Sequence, residues 1–143
     1  MARILALDIG TKRTGIAETD PMQIIAEGVT TVRSHQLIDF LKEYMSRDEV
    51  ECVVVGLPLQ MDHTESQSEP FIRGILKKIE KEFPDLRIHR EDERFTSKMA
   101  QQAMITGGMK KSRRREKGVV DEISAVLILQ SYMNRRDRGG FPA

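Results

Sequence analysis

Short apolar and alternating segments along the chain predict five β-strands. Residues 4–9 form a short apolar run, "GTKR" turns the chain, and "TGIAET" returns as the second strand of a hairpin. Residues 24–32 alternate and are β-branched, so they predict a third strand, antiparallel to the second because the connection is short. Residues 50–59 are almost continuously apolar, as in a strand covered on both faces, and residues 85–92 predict a fifth strand.

Apolar residues at helical spacing predict four helices. The first covers residues 35–45, with Ser34 as its candidate N-cap, and the second begins at Pro70, which fits only a first helical turn. The predicted buried face of this second helix consists of Phe71, Ile75, Ile79 and Phe83. Residues 96–105 predict a short helix, and residues 119–133 a last helix that is apolar on most sides and therefore largely buried.

The resulting element order, β-β-β-α-β-α-β-α-α, predicts the α/β class. A three-stranded antiparallel meander followed by strands that alternate with helices forms a mixed sheet covered by helices. We expect the first strand to lie near the centre of that sheet. The length of 143 residues fits one domain, which we predict over residues 1–138, with a short flexible tail at residues 139–143.

Composition narrows the setting and the chemistry. One cysteine, Cys52, excludes an intramolecular disulfide, no run approaches the roughly 18 apolar residues of a membrane span, and the N-terminus lacks the pattern of a signal peptide. These features predict a cytoplasmic protein without a membrane partner. The three histidines, His35, His63 and His89, match no zinc-ligand spacing.

Charge is distributed unevenly although the net charge is only +1. "KKSRRREK", residues 110–117, carries six cations and one anion, and "RRDR", residues 135–138, adds three cations. "HREDER", residues 89–94, gathers three carboxylates. Glycines flank the first basic segment, which predicts a mobile loop, either simply solvated or in contact with a polyanion.

Carboxylates stand at three positions where apolar packing is otherwise expected. Asp8 lies in the first strand, Asp92 and Glu93 lie where the fifth strand ends, and Asp121 lies in the first predicted turn of the last helix. Each has a structural explanation of its own: an ion pair of Asp8 with Arg13 or Arg94, solvation at a strand end, or compensation of the helix dipole. Small residues on the helix face of Asp121, Ser124 and Ala125, would let that face approach the sheet closely.

Convergence of these acids would predict a metal site. Carboxylates sharing a small volume cannot all stay ionised unless a cation joins them, and oxygen ligands favour Mg²⁺ or Mn²⁺. Such a site suits the hydrolysis of phosphodiester bonds. The candidate contacts to the nucleic-acid backbone are Lys12, Arg13, Arg94, Lys110, Lys111, Arg113, Arg114, Arg115 and Lys117.

Four ordered blocks resemble the YqgF family, the RuvX-type group related to Holliday junction resolvases, which has a ribonuclease H-like fold. They are "LALDIGTKRTGIA", "VVVGLPLQMDHTES", "DERFTS" and "KGVVDEISAVLILQSYM". The resemblance implies a metal-dependent nuclease in which Asp8 and Asp121 are two of the catalytic, metal-binding acids. The third lies in "DERFTS", where Glu93 is the favoured assignment and Asp92 the alternative.

The resemblance also implies a substrate, the precursor of small-subunit ribosomal RNA, whose 5′ end would be matured. Resolution of DNA four-way junctions is the alternative of the same class. A non-catalytic RNA- or DNA-binding module, using the basic loop, is an alternative of another class. The "LDIGTK" turn is also similar to the phosphate-binding turn of sugar-kinase and actin-like ATPases, which need two such domains. Whether the protein is a monomer or a homodimer stays open.

Overall fold

A computed structural model describes residues 2–58, 67–92 and 117–137. The strands in this part of the chain are β1 Arg3–Ile9, β2 Arg13–Thr19, β3 Ala26–Arg33, β4 Val50–Leu57 and β5 Arg87–Asp92. The α-helices are α1 Leu37–Arg47, preceded by a 3₁₀ turn at Ser34–Gln36, then α2 Glu69–Glu82 and α3 Lys117–Asp137. The short helix predicted over residues 96–105 lies outside the described residues.

The strands form one five-stranded sheet in the order β3-β2-β1-β4-β5. The hairpin partners β1 and β2 are antiparallel, as are β2 and β3, whereas β1, β4 and β5 run parallel to one another. The predicted mixed α/β sheet with the first strand at its centre is therefore confirmed. The carboxyl ends of β1, β4 and β5 lie at one edge of the sheet, where open α/β sheets place their sites.

Helices cover both faces of the sheet. Along β1, Leu5 and Leu7 pack in one apolar cluster with α1 and α2, whereas Ile4 and Ala6 pack in a second cluster with α3. Successive side chains of a strand point to opposite faces. Asp8, which continues the series of Ile4 and Ala6, therefore lies on the face that α3 covers. No helix among the described residues has the length and hydropathy that a membrane span requires.

The predicted role of Ser34 as a helix cap is wrong. Its side chain makes no capping hydrogen bond, because the 3₁₀ turn separates it from the first turn of α1. The Ser34 hydroxyl instead donates to the Gly10 carbonyl and contacts the hydroxyl of buried Thr14, with 2.9 Å between the oxygens. Ser34 thus fastens the end of β3 to the turn between β1 and β2.

The predicted buried face of α2 needs one correction. Pro70 lies in the first turn, as expected, but Phe71 is 37% exposed. The helix buries Ile72, Ile75, Leu76 and Ile79. These positions follow the i, i+3, i+4, i+7 pattern of one helix face, and Phe71 precedes that pattern by one residue, which turns it by about 100° towards solvent.

Candidate active site

Asp8 occupies a half-buried position next to the last residue of β1. Burial and the nearby negative charge of Asp121 raise the pKa of Asp8 from 3.8 to about 7. Two carboxylates that are 113 positions apart in sequence are thus close enough to affect each other's ionisation. The predicted convergence of β1 and the last helix is present in the structure.

The close approach of α3 to the sheet brings Asp121 to Asp8. Gly15, the register partner of Asp8 on β2, lies directly beneath the backbone of Asp121, and a Cβ atom added there would overlap with the Asp121 carbonyl. On the same helix face Ser124 and Ala125 are buried. The small side chains of the helix, which the sequence analysis had singled out, and the absence of a side chain at Gly15 together let α3 lie close to the sheet.

The helix-dipole explanation for Asp121 loses its basis. The sequence predicts this residue in the first turn of the last helix, but in the described part of the chain α3 runs from Lys117, so at least four helical residues precede Asp121. The favourable effect of a helix N-terminus falls off within the first turn. The position of Asp121 therefore needs another explanation, and its proximity to Asp8 offers one.

Arg13 contacts this acidic pair from the start of β2. Its Nε lies 3.2 Å from Oδ2 of Asp121, so the ion pair is formed with Asp121 rather than with Asp8, for which the sequence had suggested it. The turn that carries Arg13 is fixed, because the Gly10 N–H donates to the Arg13 carbonyl and the Ser34 N–H donates to the Lys12 carbonyl, over 2.9 and 3.0 Å. This fixed turn holds Arg13 beside Asp121.

The register of β5 separates Asp92 from the other acids. Asp92 pairs with Leu57 of β4, two residues beyond the pair Arg90 and Val55. Val55 packs in the cluster on the side of α1 and α2, and Arg90 binds Glu69 of α2. By alternation, Asp92 therefore lies on the sheet face opposite Asp8 and Asp121.

Glu93, the favoured third acid, lies outside the described residues. Within residues 2–58, 67–92 and 117–137, no group of three or more histidine, cysteine, aspartate or glutamate side chains is arranged to hold a metal ion. The described part of the site thus consists of two acids, Asp8 and Asp121, with Arg13 beside them.

Glu91 is a buried acid that sequence analysis did not single out. Its side chain receives hydrogen bonds from Arg135 and Ser131 of α3, at 2.7 and 3.3 Å. Burial raises the pKa of Glu91, and Arg135 opposes that effect. This ion pair joins β5 to α3, so at least one cation of the "RRDR" segment is structural rather than part of a free basic tail. The only sequence feature that hinted at this contact was the i, i+4 spacing of Ser131 and Arg135, which places both side chains on one face of α3.

The predicted nucleic-acid contacts fall into two groups. Lys12 lies in the turn between β1 and β2, and Arg13, the first residue of β2, contacts Asp121. Lys117 is the first residue of α3. The remaining candidates lie outside the described residues: Arg94, Lys110, Lys111, Arg113, Arg114 and Arg115.

Curated relatives match the chain over almost its whole length. A protein of Christiangramia forsetii named "Putative pre-16S rRNA nuclease" is 57% identical over 133 residues, covering 93% of this chain and 98% of the relative. A protein of Porphyromonas gingivalis with the same name is 52% identical over 138 residues, covering 96% of this chain and 100% of the relative.

Solved structures confirm the fold at much lower identity. Thermus thermophilus RuvC, in complex with a Holliday junction substrate, has a TM-score of 0.54 at 16% identity, covering 93% of this chain and 96% of RuvC. The Holliday junction resolvase of fowlpox virus has a TM-score of 0.55 at 14% identity, covering 92% of this chain and 98% of its own. The expected ribonuclease H-like fold is thereby confirmed. A family model described as "RuvX: Holliday junction resolvase" matches residues 2–135, and the chain belongs to the RuvX family.

Proposed function

We propose that this protein is a metal-dependent nuclease that hydrolyses phosphodiester bonds of structured nucleic acid and matures the 5′ end of precursor 16S ribosomal RNA. The observation that carries the proposal is the pair Asp8 and Asp121, brought together from the first strand and the last helix with the pKa of Asp8 raised to about 7. The names of the curated relatives support the RNA substrate. Because ribosomal RNA is matured there, we assign the protein to the cytoplasm.

The two acids fit a hard divalent cation. Their mutual repulsion and the burial of Asp8 disfavour the doubly ionised pair, and a cation between them removes that cost. Both donors are carboxylates, which suits Mg²⁺ or Mn²⁺. We assign Glu93 as the third metal-binding and catalytic acid in preference to Asp92, because the register places Asp92 on the opposite face.

Different residues would bind the metal and the nucleic-acid backbone. When bound, the divalent ion would activate a water molecule and stabilise the leaving oxygen of the phosphodiester. Asp8 and Asp121 would hold the ion, with Glu93 as the proposed third ligand. Lys12 and Arg13, on the turn beside the acids, contact the phosphates that flank the bond to be cut, and the cations of residues 110–117 and Arg94 extend this backbone contact without reading sequence.

Three alternatives remain to be distinguished from this function. The family description favours cleavage of DNA four-way junctions, although a fold does not determine the substrate. A non-catalytic RNA- or DNA-binding module would use the same cations and need no acid pair. Family membership over residues 2–135 argues against the two-domain sugar-kinase and actin-like ATPases.

The decisive experiment compares two substrates under one set of conditions. Purified precursor 16S RNA and a synthetic four-way DNA junction are incubated with the protein, with and without Mn²⁺. We expect RNA cleavage that needs the metal and that Asp8→Asn abolishes while RNA binding persists. Asp39→Asn, an exposed carboxylate on α1, is the matched control and should cleave like the unmodified chain.

Each other outcome identifies a different function. If the protein cleaves only the junction, its substrate is DNA rather than precursor 16S RNA. Cleavage of neither substrate by the unmodified chain, combined with binding that Asp8→Asn leaves intact, would favour the binding module. Metal-dependent cleavage that persists in Asp8→Asn would contradict the assigned site.

A further inference from the structure

A second concave surface lies beside the turn that carries Lys12. This groove, which we call the turn groove, has a volume of about 300 Å³. Its lining residues are Thr11, Lys12, Arg33, His35, Phe71, Ile75 and Lys78. They come from the turn between β1 and β2, the end of β3 with the following 3₁₀ turn, and helix α2.

The lining is cationic and carries an aromatic ring. Lys12, Arg33 and Lys78 are exposed, and within the described part of the chain none of them forms an ion pair with a carboxylate at the groove. The described lining contains no aspartate or glutamate. Phe71 is 37% exposed, although burial of its ring would be favourable, so its ring is available to a ligand.

Cations around an accessible ring suit one class of ligand, the single-stranded nucleic acid. Its phosphates bind to lysine and arginine, and its unpaired bases stack on aromatic side chains. A volume of about 300 Å³ is at the lower end of the range for small-molecule sites, roughly 300–1,000 Å³, so the groove has room for about one nucleotide and none for a duplex.

The groove is attached to the proposed site through the chain itself. Thr11 follows Asp8 by three residues, so their Cα atoms lie within about 11 Å of each other, roughly the length of three nucleotides of a stacked strand. The Ser34 N–H binds the Lys12 carbonyl, which fixes the turn against the 3₁₀ segment that carries His35. The groove opens on the α1 and α2 side of the sheet, so a strand bound at the acids on the α3 face reaches it by crossing over this turn, within about three nucleotides.

We propose that the turn groove holds one unpaired nucleotide within about three nucleotides of the bond that is cut, with its base stacked on Phe71 and its phosphates held by Lys12, Arg33 and Lys78. This inference rests on the proposed nuclease function and adds a substrate feature to it. The enzyme selects a site where the strand is unpaired within a few nucleotides of the scissile phosphate.

Binding measured without divalent metal tests the groove separately from cleavage. A fluorescent 12-nucleotide RNA, single-stranded or paired with its complement, is titrated with the full chain in EDTA. We expect Phe71→Leu to raise the Kd for the single strand roughly fivefold or more, as the loss of one base stack implies. Phe71→Tyr keeps a ring and should bind like the unmodified chain, and duplex binding should be unchanged in both variants.

The cations are tested by salt dependence. Lys78→Gln should lower the slope of log K against log salt for the single strand by about 0.7, the value for one phosphate contact. Lys77→Gln is the matched control, because Lys77 is exposed on the same helix and does not line the groove. It should leave the slope unchanged.

The results separate failure of the groove from failure of the nuclease site. Single-strand binding unchanged in Phe71→Leu and Lys78→Gln would overturn the groove proposal, and so would an equal loss for the duplex. Neither result bears on the assignment of Asp8 and Asp121 as the catalytic acids. Metal-dependent cleavage that persists in Asp8→Asn would instead overturn the nuclease site, whatever the EDTA titrations give.

Discussion

The backbone of Asp121 rests on Gly15. These residues come from helix α3 and strand β2, and a Cβ atom added to Gly15 would overlap with the carbonyl of Asp121. Gly15 also pairs in register with Asp8. One missing side chain therefore sets how closely the helix lies on the sheet and how near the two acids come.

Replacing this glycine should disturb both stability and the site. We expect Gly15→Ala to lower the free energy of unfolding by about 1–3 kcal/mol, the usual cost of overpacking, and to reduce metal-dependent cleavage by moving Asp121. Gly28→Ala meets the flexible side chain of Glu122 rather than backbone and should cost less. Urea denaturation of each variant measures the difference.

Gly74 supplies the matched control for these glycine substitutions. It lies within α2, and an added Cβ atom would meet nothing within 4 Å. Gly74→Ala should therefore stabilise the protein, by roughly 0.4–1 kcal/mol. A Gly15→Ala variant as stable and as active as the unmodified chain would show that the helix does not depend on this close contact.

The raised pKa of Asp8 predicts a loss of stability with rising pH. Because the folded protein holds this proton to about pH 7, whereas the pKa of an aspartate is ordinarily 3.8, the stability that this proton contributes is complete below about pH 4 and is lost as pH rises towards and through 7. In EDTA, Asp8→Asn should melt several degrees higher than the unmodified chain at pH 8 and equally at pH 4. Thermal melts at both pH values check this.

The same thermal melts can contradict this prediction. A lower Tm for Asp8→Asn at pH 8 would mean that the ionised carboxylate stabilises the metal-free fold, contrary to the effects of burial and of Asp121. Asp39→Asn, on the exposed surface of α1, controls for the loss of one negative charge elsewhere and should not remove the pH dependence.

Divalent metal should raise the Tm through Asp8, Asp121 and the proposed third ligand Glu93. Mg²⁺ or Mn²⁺ at 100 times its Kd stabilises the native state by about 2.7 kcal/mol. Asp8→Asn, Asp121→Asn and Glu93→Gln should each reduce this shift strongly, whereas Asp92→Asn should keep it, because Asp92 lies on the opposite face. A shift lost in Asp92→Asn and kept in Glu93→Gln would reverse the assignment of the third acid.

The β1-β2-β3 meander, the central place of β1 and the meeting of two remote acids could be predicted from the sequence. Short connections force β1, β2 and β3 into a meander, and small residues at Ser124 and Ala125 mark the helix face that approaches the sheet. Helix boundaries were less accessible, because Lys117 and Gly118 are polar or neutral and extend α3 before its apolar pattern begins. That extension moved Asp121 out of the first turn.

Other features depend on tertiary partners that no local pattern specifies. Ser34 has the residue type of an N-cap, but buried Thr14 and the Gly10 carbonyl compete for its hydroxyl. The sheet face of Asp92, on which the proposed preference for Glu93 rests, follows from the register of β5 against β4, which adjacent carboxylates in a sequence cannot reveal. The turn groove combines three separate segments of the chain, so no local motif marked the exposed ring of Phe71.

A buried ion network holds the ends of β4 and β5 near the proposed site. Glu69, the first residue of α2, is 1% exposed and binds both terminal nitrogens of Arg90, at 2.7 and 3.0 Å. Arg90 also donates to the carbonyl of Gly56, at 2.9 Å. The network thus joins α2, β4 and β5 immediately before the acidic residues of "DERFTS".

Removing the buried charge should therefore cost far more than removing its exposed partner. We expect Glu69→Gln to lower the free energy of unfolding by about 3 kcal/mol, because Arg90 is left without its counter-ion. Arg73 binds the same carboxylate at 3.1 Å but is 52% exposed, so Arg73→Gln should cost no more than about 1 kcal/mol. Urea denaturation at pH 7 measures both. Equal losses in the two variants would mean that Arg90 finds water or another acceptor, and that the ends of β4 and β5 do not depend on Glu69.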